Sequence, residues 1–145
     1  MKQVRASVIA MYDEFGRVLF QLRDDKDSIK HPGKWALIGG RLEDGESPNA
    51  GAIRELKEET GYQAKSMEKY KSLGVSTPQY DLVDVNIFLL EYDKEQQIHC
   101  FEGQEMKFLT KKEYLSRNIV KWQKPHVVEI FQRLSNGSKI SLPGK

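Results

Sequence analysis

Cysteine is nearly absent from this chain. Cys100 is the single thiol in 145 residues, so an intrachain disulfide is impossible. That excludes a disulfide-stapled scaffold and fits a reducing compartment. Long apolar runs are missing too. The first one, Ala6 to Met11, is broken by Tyr12-Asp13-Glu14, too soon for a signal-peptide core or a membrane span. A cytoplasmic protein without a membrane partner is expected. Neither charge sign dominates: 23 Lys and Arg stand against 21 Asp and Glu, a net charge of +2. Such a balance carries no electrostatic signature of a nucleic-acid polymer partner, and none is expected. His31 and His126 have no partners at metal-ligand spacing and read as surface residues. No internal repeat, low-complexity tract or linker divides the sequence, so one domain over residues 1–145 is the natural count.

What is present is an ordinary globular composition, 39% hydrophobic and 30% charged. At this length folding buries about two-thirds of the unfolded surface, so no metal staple is required for stability. Val4 to Tyr12 reads as a mostly buried strand, Asp13 to Gly16 as a turn, and Arg17 to Arg23 as the returning strand. Asp24 to Lys34 is polar, contains Pro32-Gly33 and reads as a loop. Trp35 to Ile38 reads as one short strand ending at Gly39-Gly40. From Ser47 the apolar period changes to that of a helix, through Ala50, Ile53 and Leu56. Pro48 lies near its start and Gly61 at its C-terminal cap. Met67 to Ser76, Leu82 to Tyr92 and Met106 to Leu109 are further strands. Lys111 to Leu115 reads as a helical turn, Trp122 to Leu134 as an amphipathic helix ended by Asn136-Gly137, and Ser138 to Lys145 as a loose tail. Strands on both sides of a helix, with a second helix at the end, predict a mixed sheet covered by helices on two faces, an α/β fold.

The segment that carries chemistry is Gly40-Arg41-Leu42-Glu43-Asp44-Gly45-Glu46, then seven residues, then Arg54-Glu55-Leu56-Lys57-Glu58-Glu59-Thr60-Gly61-Tyr62. Glu55, Glu58 and Glu59 stand at i, i+3 and i+4, one face of a helix. Like charges there repel by about 0.2–0.5 kcal/mol per pair. A hard divalent cation relieves that repulsion, and Mg²⁺ takes oxygen ligands from one or two carboxylates, water and substrate phosphates. A carboxylate cluster behind a glycine pair therefore suits metal-assisted phosphoanhydride chemistry. Gly39-Gly40 lets the backbone approach a ligand closely. Arg54 lies about 100° around the helix from Glu55. It is expected off the metal face, bracing Glu46 or another acid of the cluster. The bland alternative for three glutamates is a solvated acidic helix face.

The stretch resembles the Nudix box, G-x5-E-x7-R-E-U-x-E-E-x-G-U, in which U is a bulky aliphatic residue. Gly40, Glu46, Arg54, Glu55, Glu58, Glu59 and Gly61 fit its seven fixed positions, and Leu56 fits the first U. A chance match is on the order of one in a million at background frequencies of roughly 7% per fixed residue. Tyr62 departs from the pattern, being aromatic. Trp35-Ala36-Leu37-Ile38-Gly39-Gly40 looks like the family's W-x-L-P-G-G, with Ile38 in place of proline. The resemblance implies a Nudix-type α/β/α sandwich. It implies Mg²⁺, with Mn²⁺ as a substitute, held by Glu55, Glu58, Glu59 and the Gly39 carbonyl, or one of these glutamates acting as base. Gly40 would lie against the substrate, and Glu46 and Arg54 would support the site. A monomer or a homodimer fits the family.

Outside the box, Glu102-Gly103-Gln104-Glu105 resembles a loop of MutT-type members whose acid reaches the metals or positions the water. Glu105 is the first candidate and Glu102 the second. Arg23, at the end of the second strand, resembles an arginine that meets a substrate phosphate, a task suited to its planar fork. Gln123 stands where MutT-type 8-oxoguanine enzymes carry a base-reading asparagine. Among Trp35, Phe20, Tyr80, Phe88 and Trp122, any one is a candidate for stacking on a base, although core packing is the ordinary role of such residues. Cys100 reads as a small core residue. Pro78, 16 residues past Tyr62, resembles a mark of ADP-ribose pyrophosphatases, whereas Tyr80, 18 past it, resembles one of dinucleoside-polyphosphate hydrolases. Length and the Glu-Gly-Gln loop point to a MutT-like hydrolase of (deoxy)nucleoside triphosphates or modified forms. ADP-ribose or nucleotide-sugar pyrophosphatase is the alternative, and a non-catalytic nucleotide-binding module is a third reading.

Overall fold

In the computed structural model, which describes residues 4–76 and 82–136, seven strands form one mixed sheet between helices. The strands are β1 (Val4–Tyr12), β2 (Val18–Leu22), β3 (Trp35–Ala36), β4 (Ile38–Arg41), β5 (Glu68–Val75), β6 (Val83–Glu91) and β7 (Glu105–Leu109). The helices are α1 (Pro48–Thr60), α2 (Lys111–Leu115) and α3 (Lys124–Ser135), with a 3-10 turn over Lys121–Gln123 before α3. The main strand order is β3-β2-β1-β6-β5, with β4 pairing β1 and β7 pairing β2. β1 runs parallel to β6, from Val4↔Val83 to Tyr12↔Glu91, and antiparallel to β4 from Ala6↔Arg41 to Ile9↔Ile38.

The central strand is apolar almost throughout because both of its faces are covered. Val8, Ala10 and Tyr12 join one core with Val127, Ile130 and Phe131 of α3. Ile9 and Met11 point the other way and join Ala52 and Leu56 of α1. The period of two along β1 therefore separates two cores, and the α/β/α sandwich follows from it. Ser7, fully buried on β1, donates to the Pro48 carbonyl at 2.9 Å and ties the strand to the start of α1. On the opposite side the Tyr70 hydroxyl donates to Glu129, and Lys71 Nζ pairs with the same carboxylate at 3.0 Å, fastening β5 to α3.

Both ends of α1 are set locally. The Ser47 side chain accepts the Ala50 N–H at 3.2 Å. Gly61 closes the helix in the left-handed conformation, at φ 81°, with its N–H on the Lys57 carbonyl. Three expectations need correction. Trp35 to Ile38 is not one strand: the chain breaks at Leu37, pairing with β2 before it and with β1 after it. Cys100 is exposed, not core. His31 is half-buried, and with φ 52° it holds a backbone conformation unusual for a non-glycine residue. Pro78, Tyr80, Gly137 and the segment 138–145 lie outside the described residues. Among those described, no helix is long and apolar enough to cross a membrane.

Candidate active site

Helix α1 presents its acids in two different settings. Glu58 is 58% exposed, and Arg54 Nη1 reaches it at 3.2 Å. Arg54 also grips Glu46 bidentately, at 2.7 and 2.9 Å, and touches Glu55 at 3.0 Å and the Arg41 carbonyl at 3.2 Å. The bracing of Glu46 follows the expectation from sequence. The expected separation of Arg54 from the metal face does not, because its long side chain reaches around the helix to Glu55 and Glu58. Glu46 also accepts the Glu43 N–H at 2.9 Å. The Arg54 hydrogen bonds, then that N–H, lower its pKa from 4.5 to about 2.

Glu59, one residue further along α1, is 1% exposed. Its Oε1 accepts a hydrogen bond from the Gln21 amide at 3.3 Å, while Oε2 is buried without a partner. Burial pushes its pKa well above the carboxylate range. The neighbouring carboxyl of Glu55 and the negative charge of Glu102 add to the shift, and Arg23 opposes it. A buried carboxyl crowded by two others resists ionisation, and a bound cation supplies the positive charge that favours the carboxylate. The donor set fits a hard divalent ion. Among the described residues, however, no three acid, His or Cys side chains converge as a ready cage, because Glu58 is turned to Arg54.

The glycine pair gives the cluster its space. A Cβ on Gly40 would sit 2.8 Å from all three atoms of the Glu55 carboxyl group. A Cβ on Gly39 would lie 2.1 Å from the Ser7 carbonyl oxygen, because Gly39 pairs tightly with β1. Gly40 therefore makes room for a side chain, and Gly39 for the neighbouring backbone.

A cavity of about 480 Å³ opens beside this cluster. Arg23, Gly39, Gly40, Glu55 and Gln123 all line it. Arg23 Nε donates to the Lys30 carbonyl at 2.7 Å, which folds the 24–34 loop so that Lys30 and His31 also reach the cavity wall. His31 was read as a surface residue. Burial, then the charges of Arg23, Lys34 and Lys30, lower its pKa.

Glu102 lines the cavity, and Glu105 does not. Glu105 opens β7 opposite Leu22 and is exposed. Gln21 joins the two acids that do meet: its amide reaches both Glu59 and the Glu102 carbonyl, the latter at 2.9 Å. Gln104 stitches the same loop to the end of β2 through the Leu22 and Arg23 carbonyls, each at 2.8 Å. Sequence spacing did not reveal Gln21. Of the aromatic candidates, Phe20, Phe88 and Trp35 are buried, and Trp122 is partly buried and lines the cavity.

The chain matches the family model described as NUDIX domain over residues 1–130. It is 46% identical over 55 residues to the ADP-ribose pyrophosphatase of Bacillus subtilis (strain 168), a stretch spanning 38% of this chain and 29% of that relative. MutT from work on Aliivibrio salmonicida and Vibrio cholerae has a similar structure, with TM-score 0.75 and 20% identity, covering 91% of this chain and 99% of that one. The E. coli dihydroneopterin triphosphate pyrophosphohydrolase is similar at TM-score 0.74 and 21% identity, covering 92% and 96%. At these identities the structural likenesses establish the fold.

Proposed function

This chain belongs to the NUDIX domain family, and on that premise we propose that it is a Mg²⁺-dependent pyrophosphohydrolase of nucleotides. Its activity is then that of a MutT-like enzyme that hydrolyses (deoxy)nucleoside triphosphates, or modified forms, to a monophosphate and pyrophosphate. The observation that carries it is the unpartnered Oε2 of buried Glu59, set beside Glu55 and Glu102 at a cavity with a cationic wall.

In this reading Glu59, Glu55 and the Gly39 carbonyl would hold the metal, with Glu58 as a further candidate ligand. A bound divalent ion supplies charge neutralisation for the phosphates and acidification of a water. Arg23 binds and orients the phosphates, helped by Lys30 and His31 from the same wall. Gly40 keeps the Glu55 carboxylate clear of backbone. Glu102, which lines the cavity where Glu105 does not, takes the role of accepting a proton from the attacking water. Arg54 and Glu46 fix the outer side of the cluster.

A second reading, an ADP-ribose pyrophosphatase, draws on the 46% identity to the Bacillus subtilis enzyme over 55 residues. One substrate panel with Mg²⁺ separates the two. Pyrophosphate release from nucleoside triphosphates is expected. AMP and ribose phosphate from ADP-ribose, without pyrophosphate from any triphosphate, would replace the first reading by the second.

A further inference from the structure

Strand β2 alternates between the two cores. Val18 and Phe20 belong to the core on the α3 side, and Leu19 to the core on the α1 side. Gln21, two residues past Leu19, faces the α1 side as well and is 2% exposed. An amide thus follows Leu19 on a face that otherwise packs apolar side chains. Its backbone is fixed on both flanks, by Ala36 of β3 and Met106 of β7. A buried amide costs stability unless it is hydrogen-bonded, so its partners define its role.

Those partners belong to Glu59 and Glu102. The Gln21 NH₂ group donates to Glu59 Oε1 at 3.3 Å and to the Glu102 carbonyl at 2.9 Å. The amide cannot be turned over, because its own oxygen would then face a carbonyl, which only accepts. Both donor hydrogens are thereby used. Donation to Oε1 leaves Oε2 as the unpartnered oxygen of Glu59. The backbone repeats the connection. The Phe101 N–H donates to the Glu59 carbonyl and the His99 N–H to the Thr60 carbonyl, each at 2.9 Å, so the segment before Glu102 lies across the end of α1. Gly103 packs onto the Gln21 side chain. At φ +86°, a Cβ there would come within 2.8 Å of Gln21 Cγ and of the Leu22 carbonyl oxygen. The Glu102 loop is therefore moulded on Gln21 and on the residue that Gln21 bonds.

We propose that Gln21 is a positioning residue for a divalent cation: its amide holds the Glu59 carboxyl so that Oε2 is left for the cation, and it keeps the Glu102 loop in register with that carboxyl. A neutral donor stabilises a carboxylate without neutralising it. It also restricts rotation of the carboxyl group, so less order is lost when a cation binds. Hydrogen-bond partners of metal ligands contribute about ten- to a hundred-fold to metal affinity. Gln104 anchors the same loop to β2 without touching Glu59, which separates holding the loop from holding the ligand.

This inference rests on the reading of a metal-dependent hydrolase, and cation binding tests it without turnover. The probe is Mn²⁺ added to the full chain without nucleotide, with the free ion read by electron paramagnetic resonance. Gln21→Met keeps the length of the side chain and removes both donors. Its Mn²⁺ dissociation constant is expected to rise about ten-fold or more. Gln104→Met removes the bond to the Arg23 carbonyl and is expected to bind Mn²⁺ as the wild type does. An unchanged constant in Gln21→Met, or equal losses in the two variants, overturns the assignment. Should Gln21→Met fail to fold, the wild-type protein decides. The side-chain amide N–H resonances of Gln21 are expected to shift when Mg²⁺ is added, and unmoved resonances overturn the assignment as well. Weakened Mn²⁺ binding in Gln21→Met, with no turnover of any nucleotide by the wild type, would sink the hydrolase reading and leave the role of Gln21 standing.

Discussion

The two sides of α1 carry the same residue type in opposite electrostatic settings. On one side Glu58, with Glu46 from the loop before the helix, shares Arg54 and keeps solvent contact. On the other, Glu59 is buried against Glu55 and Glu102, and no cationic side chain bonds it. The first arrangement carries its own counter-charge; the second is incomplete until positive charge enters it. Neighbouring glutamates on one helix thus stand in different electrostatic settings, because burial differs between successive positions.

The sharpest way to break this comparison is Glu59→Gln. It removes one carboxylate charge from the buried side while keeping its shape. Turnover with Mg²⁺ is expected to fall by about a thousand-fold or more, with an unchanged or raised melting temperature, since folding no longer has to bury a carboxyl that resists ionisation there. A rate within ten-fold of wild type would place catalysis elsewhere. Next come the glycines. Gly39→Ala drives a Cβ into backbone and is expected to cost about 1–3 kcal/mol of stability, measured by urea unfolding. Gly40→Ala displaces the movable Glu55 carboxylate, so turnover should fall while the unfolding midpoint hardly moves. Equal stability losses in the two variants would refute the distinction drawn between them.

The Arg54 side predicts a pH effect. The folded-state pKa of Glu46 lies below its ordinary value of 4.5, at about 2. Its contribution to stability is therefore complete above about pH 4.5 and is lost as the pH falls towards 2. Unfolding curves between pH 5.5 and pH 2.5, an interval chosen about that window, should show a slope that Glu46→Gln reduces. An identical slope in both proteins would remove the Arg54 pairing as its source. The smallest effect is expected for Tyr114→Phe. Its hydroxyl is, among the described residues, the other buried side-chain atom without a partner, but it lies in an aromatic core beside Phe20 and Phe131. Deleting it should leave turnover intact and stabilise by about 1 kcal/mol. A fall in turnover would show that the two orphan atoms do not differ as their surroundings indicate.

Much of the frame was legible because it depends on local periodicity. β1 and β6 carried apolar runs suited to strands covered on both faces, and α1 announced its ends through Ser47 and Gly61. Leu37 was different. Its apolar neighbours read as one strand, and only the two competing partners, β2 before it and β1 after it, show the break. Glu102 and Glu105 were indistinguishable by type and spacing. The stitching of Gln104 to Leu22 and Arg23 leaves Glu102 at the cavity, while ladder pairing commits Glu105 to β7. His31 reaches the cavity wall because Arg23 folds its own loop back, a contact across seven residues that no helical or strand period encodes.

The sequence by itself determined the family, the two-layered covering of the sheet and the acids available for chemistry. These follow from residue type and short-range spacing, which the chain carries wherever it is. Only the tertiary structure decided which glutamate is left without a partner, that Glu102 rather than Glu105 faces the cavity, and that Gln21 bonds both Glu59 and the Glu102 carbonyl. Those outcomes depend on desolvation and on which group reaches a hydrogen bond first, and both are set by elements far apart in the chain.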